Sequence, residues 1–172
     1  PRRGVSITPV ITDADEAARI LTSGGIIGLP TETVYGLAAL ATDPSAVARV
    51  FAAKQRPNDH PLIVHVDSVE MASRYGLVND AAGRLAAEHW PGPLTLLLER
   101  TPLAGDHITG GRDTVAVRVP RHPLALDVIR HCGEGLVAPS ANKFGHVSPT
   151  SAAHVLADLD GLIDAVLDGG AC

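Results

Sequence analysis

The stretch LPTETVYGL, residues 29–37, decides how this sequence is to be folded. It follows the apolar run at 25–28, which is typical of a buried strand leaving a core. Three polar side chains at 31–33 then stand between a proline and Tyr35, where a continuing strand would be apolar. The pattern predicts either a turn at a strand end or a functional site.

The composition predicts one globular domain over residues 1–172. A chain of 172 residues with 45% hydrophobic and 19% charged residues can bury a sizeable core. Because aromatic residues make up only 3%, the core is expected to be aliphatic. The net charge of −5 argues against a dedicated nucleic-acid scaffold, which normally carries a basic excess.

Cysteine and histidine usage gives no sign of a metal site or a disulfide framework. Cys132 and Cys172 have no metal-ligand spacing, and the eight histidines are scattered singly. No apolar run reaches the roughly 18 residues of a membrane span, and no signal peptide opens the chain. We therefore expect a cytoplasmic protein without membrane association.

Strand and helix patterns alternate along the whole chain. Strands are predicted at 5–10, 25–30, 61–66, 94–99, 114–119, 135–138 and 163–168. Helices are predicted at 12–23, 44–54, 80–89, 123–130 and 148–159. This order predicts an α/β (α+β) domain, and the spacings favour a mixed sheet over a purely parallel one.

Capping residues mark the start of three of these helices. Thr12 is expected to cap the first, and Asp43 with Pro44 the second. Ser148 before Pro149 has the same form, and a helix N-terminus is also a natural seat for an anion. Ser148 is therefore either a cap or part of an anion site.

Lys54 and Arg56 follow the second helix and allow two interpretations. Cations at a helix C-terminus complement the helix dipole by about 0.3–1 kcal/mol. Alternatively, the point charge of the lysine and the planar fork of the arginine form a clamp for a triphosphate or a carboxylate.

A second polar cluster, APSANKFGHVSP at 138–149, follows an apolar strand. Ser140 and Asn142 lie beyond a strand end, where ligands of open α/β sheets bind. The alternative is a simple strand-to-loop turn, because serine and asparagine bond to their own backbone.

Three further residues leave both structural and functional interpretations open. Arg118 lies within a strand, where it either faces solvent or meets a buried carboxylate from Glu32 or a ligand. His65 is either a core histidine or a ligand contact. Tyr35 is more typical of packing than of catalysis.

Familiar nucleotide-binding signatures are missing from the sequence. It has neither the glycine-rich dinucleotide fingerprint nor the phosphate loop, and no nucleophile elbow. Four motifs taken together, however, resemble the YrdC/Sua5 family of threonylcarbamoyl-AMP synthases. They are LPTETVYGL, the Lys-x-Arg at 54–56, TVAVRVP at 114–120 and the Ser-x-Asn at 140–142. The resemblance covers roughly residues 8–172.

The resemblance implies an open, twisted sheet flanked by helices, YrdC/RibB-like, with a large concave cavity. It implies condensation of L-threonine, bicarbonate and ATP, with Mg²⁺ carried by ATP, into L-threonylcarbamoyladenylate and pyrophosphate. The product would supply N6-threonylcarbamoyladenosine formation at position 37 of certain tRNAs, through a downstream transferase complex.

The resemblance also assigns site residues. It implies an ATP site at Lys54, Arg56, His60, Thr114, Ser140, Asn142 and Ser148. It implies a threonine site at Thr33, Tyr35, His65, Arg118 and the backbone of Ala138. Lys54 and Arg56 would be catalytic, because they would neutralise the charge of the triphosphate.

The sequence departs from the family in two places. His60 stands where relatives commonly carry asparagine, which puts its contact with the nucleotide in question. Relatives also continue past Gly169 and Gly170 with a Ser-Thr-Val strand, and longer members add a second domain. We therefore expect this chain to be part of a longer polypeptide.

Two other functions compete with the synthase. The first is a tRNA-docking module, which would show a steep salt dependence of tRNA affinity. The second is a carbamoyltransferase domain that uses carbamoyladenylate, which would depend on carbamoyl phosphate.

Overall fold

The computed structural model describes residues 7–172, which form one eight-stranded sheet and seven helices. The strands are β1 (Val10–Ile11), β2 (Ile27–Pro30), β3 (Tyr35–Leu40), β4 (Ile63–His65), β5 (Leu96–Glu99), β6 (Thr114–Arg118), β7 (Leu136–Val137) and β8 (Ala165–Leu167). The helices are α1 (Ala14–Thr22), α2 (Pro44–Lys54), α3 (Val69–Tyr75), α4 (Asp80–His89), α5 (Asp106–Thr109), α6 (Pro123–Cys132) and α7 (Ala152–Leu159).

The sheet is mixed, as the sequence predicts. Its strand order is β1-β8-β2-β3-β7-β4-β6-β5. β8 runs parallel to β1 and to β2, and β4 runs parallel to β6. The remaining neighbours are antiparallel. The predicted α/β (α+β) class is therefore confirmed.

The stretch at 29–37 forms a hairpin. β2 ends at Pro30, which pairs with Tyr35 at the start of β3. Thr31 closes the turn, because its backbone N–H and its Oγ1 both donate to the carbonyl of Val34, at 3.2 and 2.6 Å. The three polar residues at 31–33 therefore form a tight turn between two buried strands.

β3 was not predicted from the sequence. All six of its residues are buried, so it lacks the alternation that identifies a strand covered on one face only. The short helices α3 and α5 were missed as well. The predicted first strand at 5–10 begins outside the described residues, and within them β1 starts only at Val10.

Helix caps were predicted with mixed success. Asp43 caps α2 with Pro44 in the first turn, as expected, and its carboxylate accepts from Ala46 N at 3.1 Å. In α1 the cap is Asp13 rather than Thr12.

The prediction of Ser148 as a helix cap is wrong. Ser151 caps α7, and its hydroxyl accepts from the N–H of His154 at 3.2 Å. The carbonyl of Pro149 accepts from Tyr35 N at 2.9 Å, which holds this segment against β3 as extended chain. The helix therefore begins later than the sequence suggests.

The two polar motifs of the sequence are joined along β3. Leu37 N donates to Pro139 O at 2.6 Å, and Ala141 N donates to Tyr35 O at 2.8 Å. Gly36 pairs with Ser140 between these two bonds. The backbones approach so closely that a Cβ on Gly36 would lie 2.8 Å from the carbonyl oxygen of Ala138.

We expect Gly36→Ala to destabilise the fold. The new methyl group would overlap with backbone, which cannot rotate away, and such overpacking costs about 1–3 kcal/mol. Gly83→Ala is the matched control: this glycine lies inside α4, and the nearest atom to a new Cβ is 4.0 Å away. There alanine should stabilise by up to about 1 kcal/mol. Urea unfolding measures the change in the free energy of unfolding of each variant, and the two changes should have opposite signs. An unchanged midpoint for Gly36→Ala would contradict the packing argument.

Candidate active site

Two neighbouring strands carry polar side chains on one face of the sheet. His65 of β4 lies opposite Arg118 in the parallel register with β6. Because side chains alternate along a strand, Thr114 shares the face of Arg118, whereas Val117 is buried on the opposite face. Two of the predicted threonine contacts, His65 and Arg118, and one predicted ATP contact, Thr114, therefore lie on the same surface.

Arg118 is held by two protein oxygens. Its Nε donates to the carbonyl of Gly92 at 2.9 Å, and its Nη2 forms an ion pair with Oε1 of Glu32. Of the two alternatives from the sequence, the pairing with a carboxylate is confirmed, and the partly buried Glu32 supplies it. Burial lowers the pKa of the guanidinium. Its Nη1 makes no hydrogen bond to residues 7–172 and is free to bind a ligand.

His65 is a buried, neutral imidazole. His65 is 4% exposed, and burial lowers the pKa of its imidazole to about 4. Within the described part of the chain, Nδ1 has no hydrogen-bond partner. Buried polar atoms are nearly always satisfied, so the unpaired ring nitrogen next to Arg118 is a candidate ligand contact.

Lys54 ends α2 with its ammonium directed inward. The residue is 2% exposed, and Nζ donates to the carbonyls of Ser140 and Asn142, the second at 2.7 Å. Burial, followed by the nearby charge of Arg56, lowers the pKa of Lys54 to about 8. The lysine thus fastens α2 to the Ser-x-Asn motif, a contact that neither interpretation of the sequence included.

Asn142 organises the loop that follows. Its Nδ2 donates to the carbonyls of Lys143 and His146 at 2.8 and 2.9 Å. Its buried Oδ1 has no partner among residues 7–172. Asn142 therefore has an unpaired side-chain acceptor, while its backbone carbonyl accepts from Lys54 Nζ.

Arg56 and His60 form a second contact at the end of α2. Arg56 Nε donates to His60 Nδ1 at 3.0 Å, and burial lowers the pKa of Arg56. The ring of His60 lies 5.9 Å from that of Phe144, whose N–H donates to Lys54 O at 2.6 Å. These contacts bring the Lys-x-Arg segment against the loop that follows Asn142.

Thr114 lines a cavity of about 330 Å³ on the open face of the sheet. Ile63 and Leu97 give it an apolar wall, and Arg112 supplies a charge at its edge. Arg112 Nη1 also donates to the carbonyl of Asp59 at 3.5 Å, so the cavity adjoins the segment that carries His60.

Ser148 lines a different cavity. This cavity has a volume of about 520 Å³ and includes His146, His154 and Asp158. Asp158 Oδ2 lies 3.0 Å from His146 Nδ1. Ser148 is exposed and lies next to Pro149, the residue whose carbonyl bonds to β3.

The remaining threonine contacts expected from the resemblance have unequal placements. Thr33 is exposed at the hairpin turn, with its Oγ1 at 3.1 Å from that of Thr31. Ala138 lies beside β3, as described above. Tyr35 is fully buried, and its hydroxyl donates to Gly170 O at 2.7 Å. A contact of Tyr35 with threonine stays a prediction.

Two kinds of contact were invisible from the sequence. The first is backbone acceptors and donors, namely Gly92 O on Arg118 and the N–H of Arg121, which donates to Oε2 of Glu32. The second is Phe144, one of two phenylalanines in the chain, which packs on His60. Its position in a polar loop was the available signal, because an exposed aromatic residue there has no core to fill.

Residues 7–172 contain no group of three or more His, Cys, Asp or Glu side chains that could hold a metal ion. In the same part of the chain, no helix combines the length and the apolar character needed to cross a membrane.

The fold and the site define a mixed α/β domain. One face of its sheet carries the fixed guanidinium of Arg118 and the neutral imidazole of His65, and Lys54 holds the loop that contains Ser140 and Asn142. Such a face suits a small carboxylate beside a phosphorylated ligand. The family model Sua5_yciO_yrdC, described as "Telomere recombination", matches residues 19–172. The chain belongs to this family.

Known relatives support this assignment. Threonylcarbamoyl-AMP synthase of Pyrococcus abyssi is 48% identical over 155 residues, which are 90% of this chain and 46% of the relative. The enzyme of the same name from Idiomarina loihiensis is 37% identical, and the match covers 94% of this chain and 90% of the relative. The chain thus spans about half the length of the Pyrococcus relative.

A solved structure extends the comparison to three dimensions. The crystal structure of P. abyssi Sua5 complexed with L-threonine matches with a TM-score of 0.91 and 44% identity. The match covers 96% of this chain and 51% of the other. The predicted family and its fold are therefore confirmed.

Proposed function

We propose that this chain is a threonylcarbamoyl-AMP synthase domain that condenses L-threonine, bicarbonate and ATP into L-threonylcarbamoyladenylate and pyrophosphate. The observation that carries the proposal is Arg118, a buried guanidinium that is fixed by two protein oxygens, while no hydrogen bond within residues 7–172 involves its Nη1. A carboxylate needs a cation that keeps its proton, and arginine supplies one. A relative of similar fold was crystallised with L-threonine.

Threonine would lie with its carboxylate on Arg118 and close to His65. The neutral imidazole suits this position, because one ring nitrogen of a neutral histidine can accept a hydrogen bond, whereas a protonated ring only donates. The amine must be unprotonated before its nitrogen attacks the carbon of bicarbonate-derived carbon dioxide. The unpaired Nδ1 of His65 offers one hydrogen bond to the amino acid, and Thr33 offers another at the hairpin turn.

ATP, with Mg²⁺ as part of the substrate, would lie against Lys54 at the end of α2 and against the loop that contains Asn142. Arg56, His60, Ser140, Asn142 and Ser148 would contact its polar parts, and the apolar wall next to Thr114 suits the base. The carbamate oxygen would then attack the α-phosphorus, and pyrophosphate would leave. No covalent enzyme intermediate is needed, so the contribution of Lys54 and Arg56 is placement and charge neutralisation.

The product would supply threonylcarbamoyl groups for N6-threonylcarbamoyladenosine at position 37 of tRNA, through a separate transferase complex. Direct tRNA docking is disfavoured by the net charge of −5. The cytoplasmic location expected from the sequence stays a prediction.

The test is pyrophosphate release from ATP, with threonine and bicarbonate each added or withheld. We expect release only when both are present. Release with carbamoyl phosphate in their place would favour the carbamoyltransferase instead. Calorimetric titration of threonine and of ATP runs in parallel, and absence of binding by either substrate would overturn the proposal.

A further inference from the structure

Both carboxylate oxygens of Glu32 make contacts with other residues around Arg118. Oε1 pairs with Arg118 Nη2, and Oε2 accepts from the backbone N–H of Arg121. The side chain of Glu32 is 21% exposed and that of Arg118 is 9% exposed, so water screens this pair poorly. The pair joins the β2–β3 turn to the end of β6.

These contacts fix the orientation of a group that would otherwise rotate. The guanidinium of Arg118 is bonded at Nε by Gly92 O and at Nη2 by Glu32, and two bonded atoms fix the plane. Only the edge at Nη1 is left for a ligand. Glu32 also cancels the charge of Arg118, so the two side chains together carry no net charge.

We propose that Glu32 is a positioning residue that orients Arg118 and makes the pocket selective for a zwitterion over a simple carboxylate. This inference rests on the proposed function, since it assigns an amino acid to Arg118. A carboxylate alone gains from Arg118 and is repelled by Glu32. An amino acid carries an ammonium group as well, which offsets that repulsion.

A carboxylate on this arginine has a second role to be tested against positioning, namely blocking Arg118 until a ligand displaces it. If Glu32 merely occupied Arg118 until a ligand displaced it, removing its charge would tighten binding. A positioning role has the opposite sign, because loss of the charge frees the guanidinium to rotate. The direction of the change in affinity therefore separates the two roles.

Glu32→Gln is the appropriate variant, because glutamine keeps the size of the side chain. It offers one acceptor oxygen and cannot accept from Arg118 and from the Arg121 N–H in the present arrangement. We expect its affinity for L-threonine, measured by calorimetry, to fall about 10- to 100-fold, the range expected for a lost charge-assisted hydrogen bond. Affinity for 3-hydroxybutanoate, which is threonine without its amine, should fall less, so the discrimination between the two ligands decreases.

Glu134→Gln is the matched control. Glu134 is a partly buried glutamate that accepts from Thr42 Oγ1 at 2.8 Å, away from the site. Its neutralisation should leave both affinities as in the parent chain. Glu32→Asp, which keeps the charge on a shorter stem, should restore part of the discrimination. It also serves as the second variant if Glu32→Gln does not fold.

A ligand-free measurement keeps the inference separate from the proposed function. In ¹⁵N NMR, the Nε–H of Arg118, assigned by its loss in Arg118→Lys, should exchange slowly with water in the parent chain. In Glu32→Gln this signal should broaden or merge with those of exposed arginines. Unchanged exchange, or tighter threonine binding by Glu32→Gln, would overturn the positioning role. A parent chain that binds no threonine but shows the NMR effect would overturn the proposed function and the selectivity, and would retain the positioning of Arg118.

Discussion

Arg118→Lys should lose most of its affinity for threonine while it still binds ATP. Lysine keeps the positive charge but not the planar fork, so it cannot bond Gly92 O, Glu32 and a ligand carboxylate in fixed directions. Its ammonium would be drawn to Glu32 and away from the ligand. We expect the dissociation constant for L-threonine to rise about 100-fold, because a charge-assisted pair with correct geometry is lost.

The control for Arg118→Lys is a second arginine that bonds a backbone carbonyl. Arg74 is exposed, and its Nη1 donates to Gly133 O at 3.0 Å, outside the site. Arg74→Lys should bind threonine as the parent chain does. Titration calorimetry with threonine and with ATP measures both variants. If Arg118→Lys binds threonine with parental affinity, the carboxylate lies elsewhere and the proposed placement is wrong.

The elements that sequence predicts well are those with local signals. α2 carries a capping aspartate and a first-turn proline, and both lie where the pattern places them. In β6 the half-buried Thr114 and Ala116 alternate with the buried Val115 and Val117, which is the pattern of a half-covered strand. In each case, the information lies within a few residues of the element itself.

The elements that were missed depend on distant parts of the chain. β3 is covered on both faces, so its residues YGLAAL show no period that distinguishes strand from helix. Ser148 has the local form of a cap, yet the bond between Pro149 O and Tyr35 N keeps the segment extended. A tertiary hydrogen bond overrides the local preference here.

The candidate site shows the same division. Its residue types were recognisable from the sequence, and the partner of Arg118 was one of two stated alternatives. The contacts of Lys54 were not predictable, because its two acceptors are 86 and 88 residues away and are backbone atoms. Backbone groups carry no residue signature, so only the fold shows which of them lie near a side chain.

Lys54→Met should abolish most of the pyrophosphate release. Methionine fills a similar volume but gives no donor to Ser140 O and Asn142 O, and it removes the cation next to the proposed phosphate site. Loss of charge stabilisation at a transferring phosphoryl group typically costs about 100-fold or more in rate. Arg49→Met is the control, because Arg49 is an α2 cation that pairs with Asp164 on the surface. Lys54→Met with full activity would exclude Lys54 from the reaction.

The same variant tests the charge state of Lys54 through stability. The folded chain lowers the pKa of Lys54 from 10.5 to about 8, so between these values the unfolded chain binds more protons than the folded one. Stability of the parent chain should therefore rise with pH across this window, and the penalty for the buried charge returns as pH falls toward 8. The gain relative to Lys54→Met should approach about 3 kcal/mol.

Urea unfolding of both chains from pH 7 to 10.5 measures this gain. The tyrosines titrate in both chains, so their contribution cancels in the difference. Parallel curves for the two chains would mean that the ammonium is as well solvated in the folded chain as in the unfolded one, which contradicts its burial against the two carbonyls.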